Sequence, residues 1–173
     1  MKNITLRYGL IAGAIVSVLM LLSFPLMYNL KDNYNIALLL GYVSIILSLS
    51  TIFVAVKTYR DKHNNGKVKI GKAFLIGLYI TLIAGAIYSF VFLLADSFAE
   101  TSFMDGYRSM KLEEINANQA LDAAQKQAQI TEMDGQIALY SNPVAAFLMI
   151  MFTEYVPVGL ILSLVTALIL KKK

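Results

Sequence analysis

One carboxylate in this chain stands where a carboxylate is costly. Glu154 lies in the stretch TEYVPVG, Thr153 to Gly159, inside an otherwise uncharged apolar run. A charged group near mid-bilayer costs at least ~2.5 to 3.5 kcal/mol on insertion scales, so such groups turn toward a bundle interior, a watery cavity or a partner. Counting residues inward from both ends of the run puts Glu154 slightly off the midplane, level with Tyr88 on another apolar run and with Tyr42 or Ser44 on a third. Tyr88 is the expected hydrogen-bond partner. The pair suits a structural staple, as a protonated acid or as a carboxylate held by hydroxyls, and it also suits one step of a proton relay or ligand path. Pro157 offers no N–H to the carbonyl of Thr153 and is expected to kink the helix beside Glu154.

Other chemistry lacks its residues. There is no cysteine and one histidine, His63, so thiolate catalysis, disulfides and a histidine metal cluster are excluded. The chain holds no glycine-rich phosphate loop, no G-x-S-x-G, no H-E-x-x-H and no paired carboxylates at helical spacing within an apolar run. The acidic residues lack EF-hand spacing. The expectation is a non-enzymatic protein with no cofactor and no metal.

The elements that must position Glu154 follow from composition. Of 173 residues 58% are hydrophobic, too many for a soluble globule of this length. A helix crosses a ~30 Å hydrocarbon core with roughly 20 apolar residues. Four runs qualify, at 8–27, 36–56, 73–95 and 144–170, and only the last carries a charge. The first is longer than the apolar stretch of a signal peptide and no A-x-A site follows it, so it reads as a membrane helix. One integral membrane domain over residues 1–173 is expected: an all-α, four-transmembrane-helix bundle.

The net charge of +4 is not spread over one face. Lys2 and Arg7 precede the first run; Lys57, Arg60, Lys62, Lys67, Lys69 and Lys72 join the second to the third; Lys171, Lys172 and Lys173 end the chain. The alternate loops hold only Lys31, Arg108, Lys111 and Lys126. Cytoplasmic loops carry the excess of Lys and Arg, which places both termini and the 57–72 loop in the cytoplasm. Lys57, Arg60, Lys67, Lys69 and Lys72 are candidates to contact anionic headgroups. Asn64-Asn65-Gly66 supplies a tight turn there. The 96–142 segment has the opposite sign, with Asp96, Glu100, Asp105, Glu113, Glu114, Asp122, Glu132 and Asp134 against three basic residues. Such opposed faces argue against a nucleic-acid partner and for the lipid bilayer.

Lipid-immersed helices associate through close packing at small residues. Such residues recur at intervals of four: Gly9, Gly13 and Ser17; Gly77, Thr81, Gly85 and Ser89; Gly159, Ser163 and Ala167, with Gly41, Ser44, Ser48 and Thr51 on the second run. The glycines are expected to be helix-packing positions. Asn142-Pro143 marks a sharp helix start. Between the third and fourth runs, one extracytoplasmic helix is expected from about Tyr107 to Ile130, followed by a break and a short helical turn. Ser102 with Asp105 and Thr131 with Asp134 both match an S/T-x-x-D helix start.

The blocks Tyr59–Tyr79 and Ser141–Lys173 carry a resemblance in four features: N-G before K-x-K-I-x-K-A, the N-P helix opening, the internal P-V-G and the lysine tail. In them the chain resembles the membrane-protein family called domain of unknown function 4199. The resemblance implies a four-span bacterial inner-membrane protein and brings no activity or catalytic residue. The leading expectation is a scaffold, accessory subunit or envelope component, possible as a homo-oligomer or with a membrane-protein partner. The alternative is a small oligomeric transporter or channel using Glu154 and Tyr88.

Overall fold

The computed structural model describes residues 1–29, 34–99 and 102–172; Lys31, Glu100 and Lys173, counted above by charge, lie outside them. The described residues are helical and form no strand. In order they make α1 (Lys2–Asn29), α2 (Tyr34–Leu49), α3 (Thr51–His63), α4 (Ile70–Asp96), α5 (Phe103–Ala117), α6 (Ala123–Ala138), α7 (Pro143–Met149), a π-helical turn (Ile150–Tyr155) and α8 (Val156–Leu170). Four stretches are long and apolar enough to cross a membrane: Lys2–Ser23, Leu38–His63, Ile70–Asp96 and Pro143–Leu170. At 1.5 Å per residue α4 alone is about 40 Å long. The chain has the build of a multi-pass membrane protein.

α4 is the central post, packed by α1 along one side, by α8 along another and by α3 at its start. Its buried residues, Ala73, Ile76, Gly77, Ile80, Thr81, Ala84, Gly85, Tyr88, Ser89 and Phe92, recur every three or four positions, as a buried helical face must. The core joins these to Ala12 and Val16 of α1, Ile45 and Leu49 of α2, Ile52 and Val56 of α3, and Ile150, Tyr155 and Ala167 of the last span. The second span passes from α2 to α3 through a single turn at Ser50, whose hydroxyl donates back to the Leu47 carbonyl at 2.6 Å.

Local signals work as their chemistry dictates. Asn65 and Gly66 adopt positive φ, 50° and 75°, and Asn64 Nδ2 closes the turn on the Lys67 carbonyl at 2.7 Å. Asn142 Oδ1 accepts from the amides of Val144 and Ala145 at 2.9 and 3.1 Å, with Pro143 opening α7. A contact that patterning does not signal ties the ends together. Val68 and Lys172 exchange backbone hydrogen bonds of 3.0 Å each way, so the chain's last residues lie against the 57–72 loop. Tyr8 and Thr58 share a hydroxyl contact of 3.3 Å at the same end of the bundle.

The segment between the third and fourth spans departs from the single helix expected at Tyr107–Ile130. It is two helices, α5 and α6, parted at Asn118–Asp122. Ser102 starts α5 as expected, accepting from the Asp105 amide at 3.2 Å. The second start is Asp122 rather than Thr131: Asp122 Oδ1 accepts from the Gln125 amide at 2.8 Å and Gln125 Oε1 from the Asp122 amide at 3.0 Å. Thr131 lies inside α6 and donates to the Gln127 carbonyl instead. Arg108 grips Asp134 through Nε at 2.7 Å and Nη2 at 3.1 Å, and Lys126 Nζ donates to the Asn116 carbonyl at 2.7 Å, closing the hairpin. Phe103 meets Phe92 edge to face at 5.8 Å and Asp96 Oδ1 accepts from the Phe103 amide at 2.8 Å, which fixes the start of α5 on the end of α4.

Candidate functional site

Glu154 sits within the π-helical turn that precedes α8. Its register follows from Pro157, which has no N–H and whose ring would collide with the carbonyl of Thr153 in a regular helix. The span adopts a wider turn here, in which the Val156 amide reaches back five residues to the Met151 carbonyl. Where a kink is anticipated from the proline, the structure has an inserted turn just before it. Pro157 itself is exposed.

Tyr88 Oη donates to Glu154 Oε2 at 3.2 Å, across the α4 face. The two groups set at one depth by counting residues are in contact. Beside them lies a residue that counting did not single out. Tyr155 is fully buried, its ring 5.5 Å from that of Tyr88, and its hydroxyl pairs with Ser48 Oγ at 2.8 Å. The second span therefore reaches this cluster through Ser48. Ser44 bonds its own backbone at Leu40, and Tyr42 is largely exposed. No local pattern signals that pairing of Tyr155 with Ser48, which joins positions 107 apart.

Tyr140 approaches Glu154 from the α6 side. It lies outside the spans, and burial first, then the Glu154 charge, holds its hydroxyl above the usual tyrosine range. Further out, the hydrogen bond from Arg108 holds the Asp134 carboxyl below the usual carboxylate range, and the bond to Glu114 raises the Lys111 ammonium.

The glycines are close-approach points. A Cβ on Gly9 would lie 2.8 Å from Ile83 Cβ, and one on Gly13 2.5 Å from Ile87 Cδ1, so α1 rides against isoleucines of α4. On Gly77 it would strike Ser163 and Ile52, on Gly159 Thr81, and on Gly85 it would come within 3.1 Å of the Tyr155 ring. Gly41 has nothing within 4 Å and is not a packing point. Thr81 donates to the Gly77 carbonyl at 3.0 Å, while the buried hydroxyls of Ser89 and Ser163 have no partner among the described residues.

Among the basic candidates Arg60 is engaged, with Nε 2.7 Å from Asp61 Oδ1. Lys57, Lys67, Lys69 and Lys72 lie at the same end and are exposed. Two open clefts flank the bundle. One, of about 240 Å³, lies between α5 and α6 over Ile115 and Met133; the other, of about 310 Å³, runs along α3. Neither is lined by Glu154 or Tyr88.

The family described as "Protein of unknown function (DUF4199)" matches residues 7–172. The chain belongs to this family. No curated protein and no solved structure matches. The DUF4199 match runs from within the first span to the end of the fourth and includes the hairpin.

Proposed function

We propose that the chain is a non-enzymatic scaffold or accessory subunit of a bacterial inner membrane. It is threaded with both termini and the 57–72 loop in the cytoplasm and the α5–α6 hairpin outside. The observation that carries this reading is the pairing of the cluster around Glu154 within the bundle. Glu154 accepts from Tyr88, Tyr155 pairs with Ser48, and the glycines are filled by side chains of neighbouring helices. A bundle so occupied is an anchor, and the hairpin with its open cleft is the part left to meet another protein. The charge asymmetry supports the threading. Reporters active only in the cytoplasm or only outside it, fused at Asn65 and Gln119, test that; activity of an outside-only reporter at Asn65 overturns it.

A second reading, a small oligomeric transporter or channel, draws on one detail. Among the described residues only Oε2 of Glu154 is hydrogen-bonded, which leaves Oε1 for an ion or proton. Purified protein in liposomes loaded with a pH-sensitive dye separates the two. The scaffold reading expects the same proton leak with parent, Glu154→Gln and empty liposomes. A leak present in the parent and abolished by Glu154→Gln establishes the second reading and removes the first.

A further inference from the structure

The groove along α3 has a graded lining. Phe53 and Val54 form one end, and Lys57, Thr58, Asp61 and Lys62 form the other. From Val54 to Lys62 is eight residues, about 12 Å of helix rise, which runs from within the apolar span to its charged end. Phe53 is 39% and Val54 50% exposed, so the apolar end of the groove is partly open to the surroundings. At the polar end Asp61 is held by both Nε and Nη2 of Arg60, at 2.7 and 3.3 Å, which balances its charge. Lys57 and Lys62 make no ion pair among the described residues, and Thr58 is anchored by Tyr8. The surplus charge in the groove is therefore two ammonium groups above two apolar side chains. That order of polarity matches an anionic headgroup joined to acyl chains, and a volume of about 310 Å³ is of the size that holds a small ligand group.

We propose that this groove is a selective site for an anionic diacyl phospholipid, its phosphate between Lys57 and Lys62 with Thr58 donating, and its chains descending over Phe53 and Val54. The proposal rests on the membrane-spanning reading and goes beyond general attraction to headgroups. It assigns the selectivity to Lys57 and Lys62 and excludes Arg60, which Asp61 occupies.

The chain contains no tryptophan, so Phe53→Trp places a single reporter at the groove. Reconstituted protein is quenched with brominated phosphatidylglycerol or brominated phosphatidylcholine in mixed bilayers. The Phe53→Trp protein should prefer phosphatidylglycerol, and Lys57→Gln with Lys62→Gln should lower that preference by up to about five-fold per lysine. Lys67→Gln with Lys69→Gln removes the same charge from exposed positions outside the groove and should leave most of the preference intact. Equal losses from both pairs, or none from either, overturn the site. Displacement by inorganic phosphate at matched ionic strength also overturns it, by making the groove a simple anion site. Absence of quenching by either lipid would instead mean that the reporter is not in a bilayer, a failure of the membrane reading itself.

Discussion

Gly159→Ala is expected to destabilise the bundle by about 1 to 3 kcal/mol through a single methyl group. The added Cβ would lie 2.7 Å from Thr81 Cβ and closer still to Thr81 Cγ2 and Oγ1. Thr81 has no way to yield: it is fully buried and its hydroxyl is committed to the Gly77 carbonyl at 3.0 Å. Ordinary contact begins at 3.4 Å, so α4 and α8 must part by more than about 0.7 Å at this level. Parting loosens the neighbouring contacts of Gly85 with Tyr155 and of Gly77 with Ser163, on the same seam. Between helices in lipid that packing is the main attraction, because the tails solvate apolar side chains as well as a neighbouring helix does. The change is measured by reversible unfolding in mixed micelles, followed by far-UV circular dichroism. Thr81→Ala in the Gly159→Ala background removes Thr81 Cγ2 and Oγ1 but keeps the Cβ at 2.7 Å, so it should restore part of the loss, giving a coupling of about 0.5 to 3 kcal/mol. Gly41→Ala, with nothing within 4 Å, should cost nothing. A Gly159→Ala protein as stable as the parent, or two changes that simply add, would refute the argument that the glycine seam sets the helix spacing.

Tyr88→Phe should lower stability by about 0.6 to 1.7 kcal/mol in the same assay, the range of interhelical hydrogen bonds in membranes; an unchanged midpoint would mean that Glu154 needs no donor. Ser48→Ala leaves the buried Tyr155 hydroxyl unpaired and should cost about 1 to 3 kcal/mol, with Tyr155→Phe in that background recovering part of it. In the hairpin, Asp134 is held by Arg108 below its free value near 3.8, so the ion pair is intact above that pH and is lost as pH falls through the lower folded value. Spin labels at the exposed Glu113 and Ala124 should therefore report a constant α5–α6 separation at neutral pH and a wider one under strong acid, and Asp134→Asn should remove that pH dependence. Asp122→Ala removes the side-chain half of the capping box, leaving Gln125 Oε1 on the amide of residue 122, and should fray α6, with a loss of about 0.5 to 2 kcal/mol visible as reduced helix signal. Full helicity in that variant would count against the cap.

The spans were legible because the solvent sets their length: any helix crossing hydrocarbon must satisfy its own backbone, and four apolar runs are long enough to do so. The turn at Asn65-Gly66 and the start at Asn142-Pro143 were legible because each rests on a local rule about φ or a missing N–H. The break between α5 and α6 was not, since the good helix formers Gln119, Ala120 and Leu121 lie between Asn118 and Asp122 and propensity is a weak prior. The deciding residues were present as Asp122-x-x-Gln125, a capping box written with Asp. The competing Thr131-x-x-Asp134 pattern failed because Asp134 is drawn across the hairpin to Arg108, a partner 26 positions away. The Ser48–Tyr155 bond, 107 positions apart, was beyond any local rule. Counting depth set Glu154 level with Tyr88 and with Tyr42 or Ser44, whereas Ser48 meets the neighbouring Tyr155 rather than Glu154.

That turn also explains why two polar side chains can be buried side by side. In a regular α-helix adjacent residues point about 100° apart, so Glu154 and Tyr155 could not both meet the α4 face. The wide turn adds a residue to the circuit, and both then have partners in the core: Glu154 on Tyr88 of α4, Tyr155 on Ser48 of α2. The proline makes such a turn inexpensive, since Pro157 would have left one carbonyl without a helical donor in any case. Replacing Pro157 with alanine restores the missing N–H and removes the reason for the insertion. If the account is right, Pro157→Ala should favour a regular helix, turn Glu154 or Tyr155 away from its partner, and weaken the coupling between Tyr88→Phe and Glu154→Gln measured as a double-mutant cycle. A cycle with the same coupling energy in both backgrounds would show that the turn is held by the tyrosines and not by the proline.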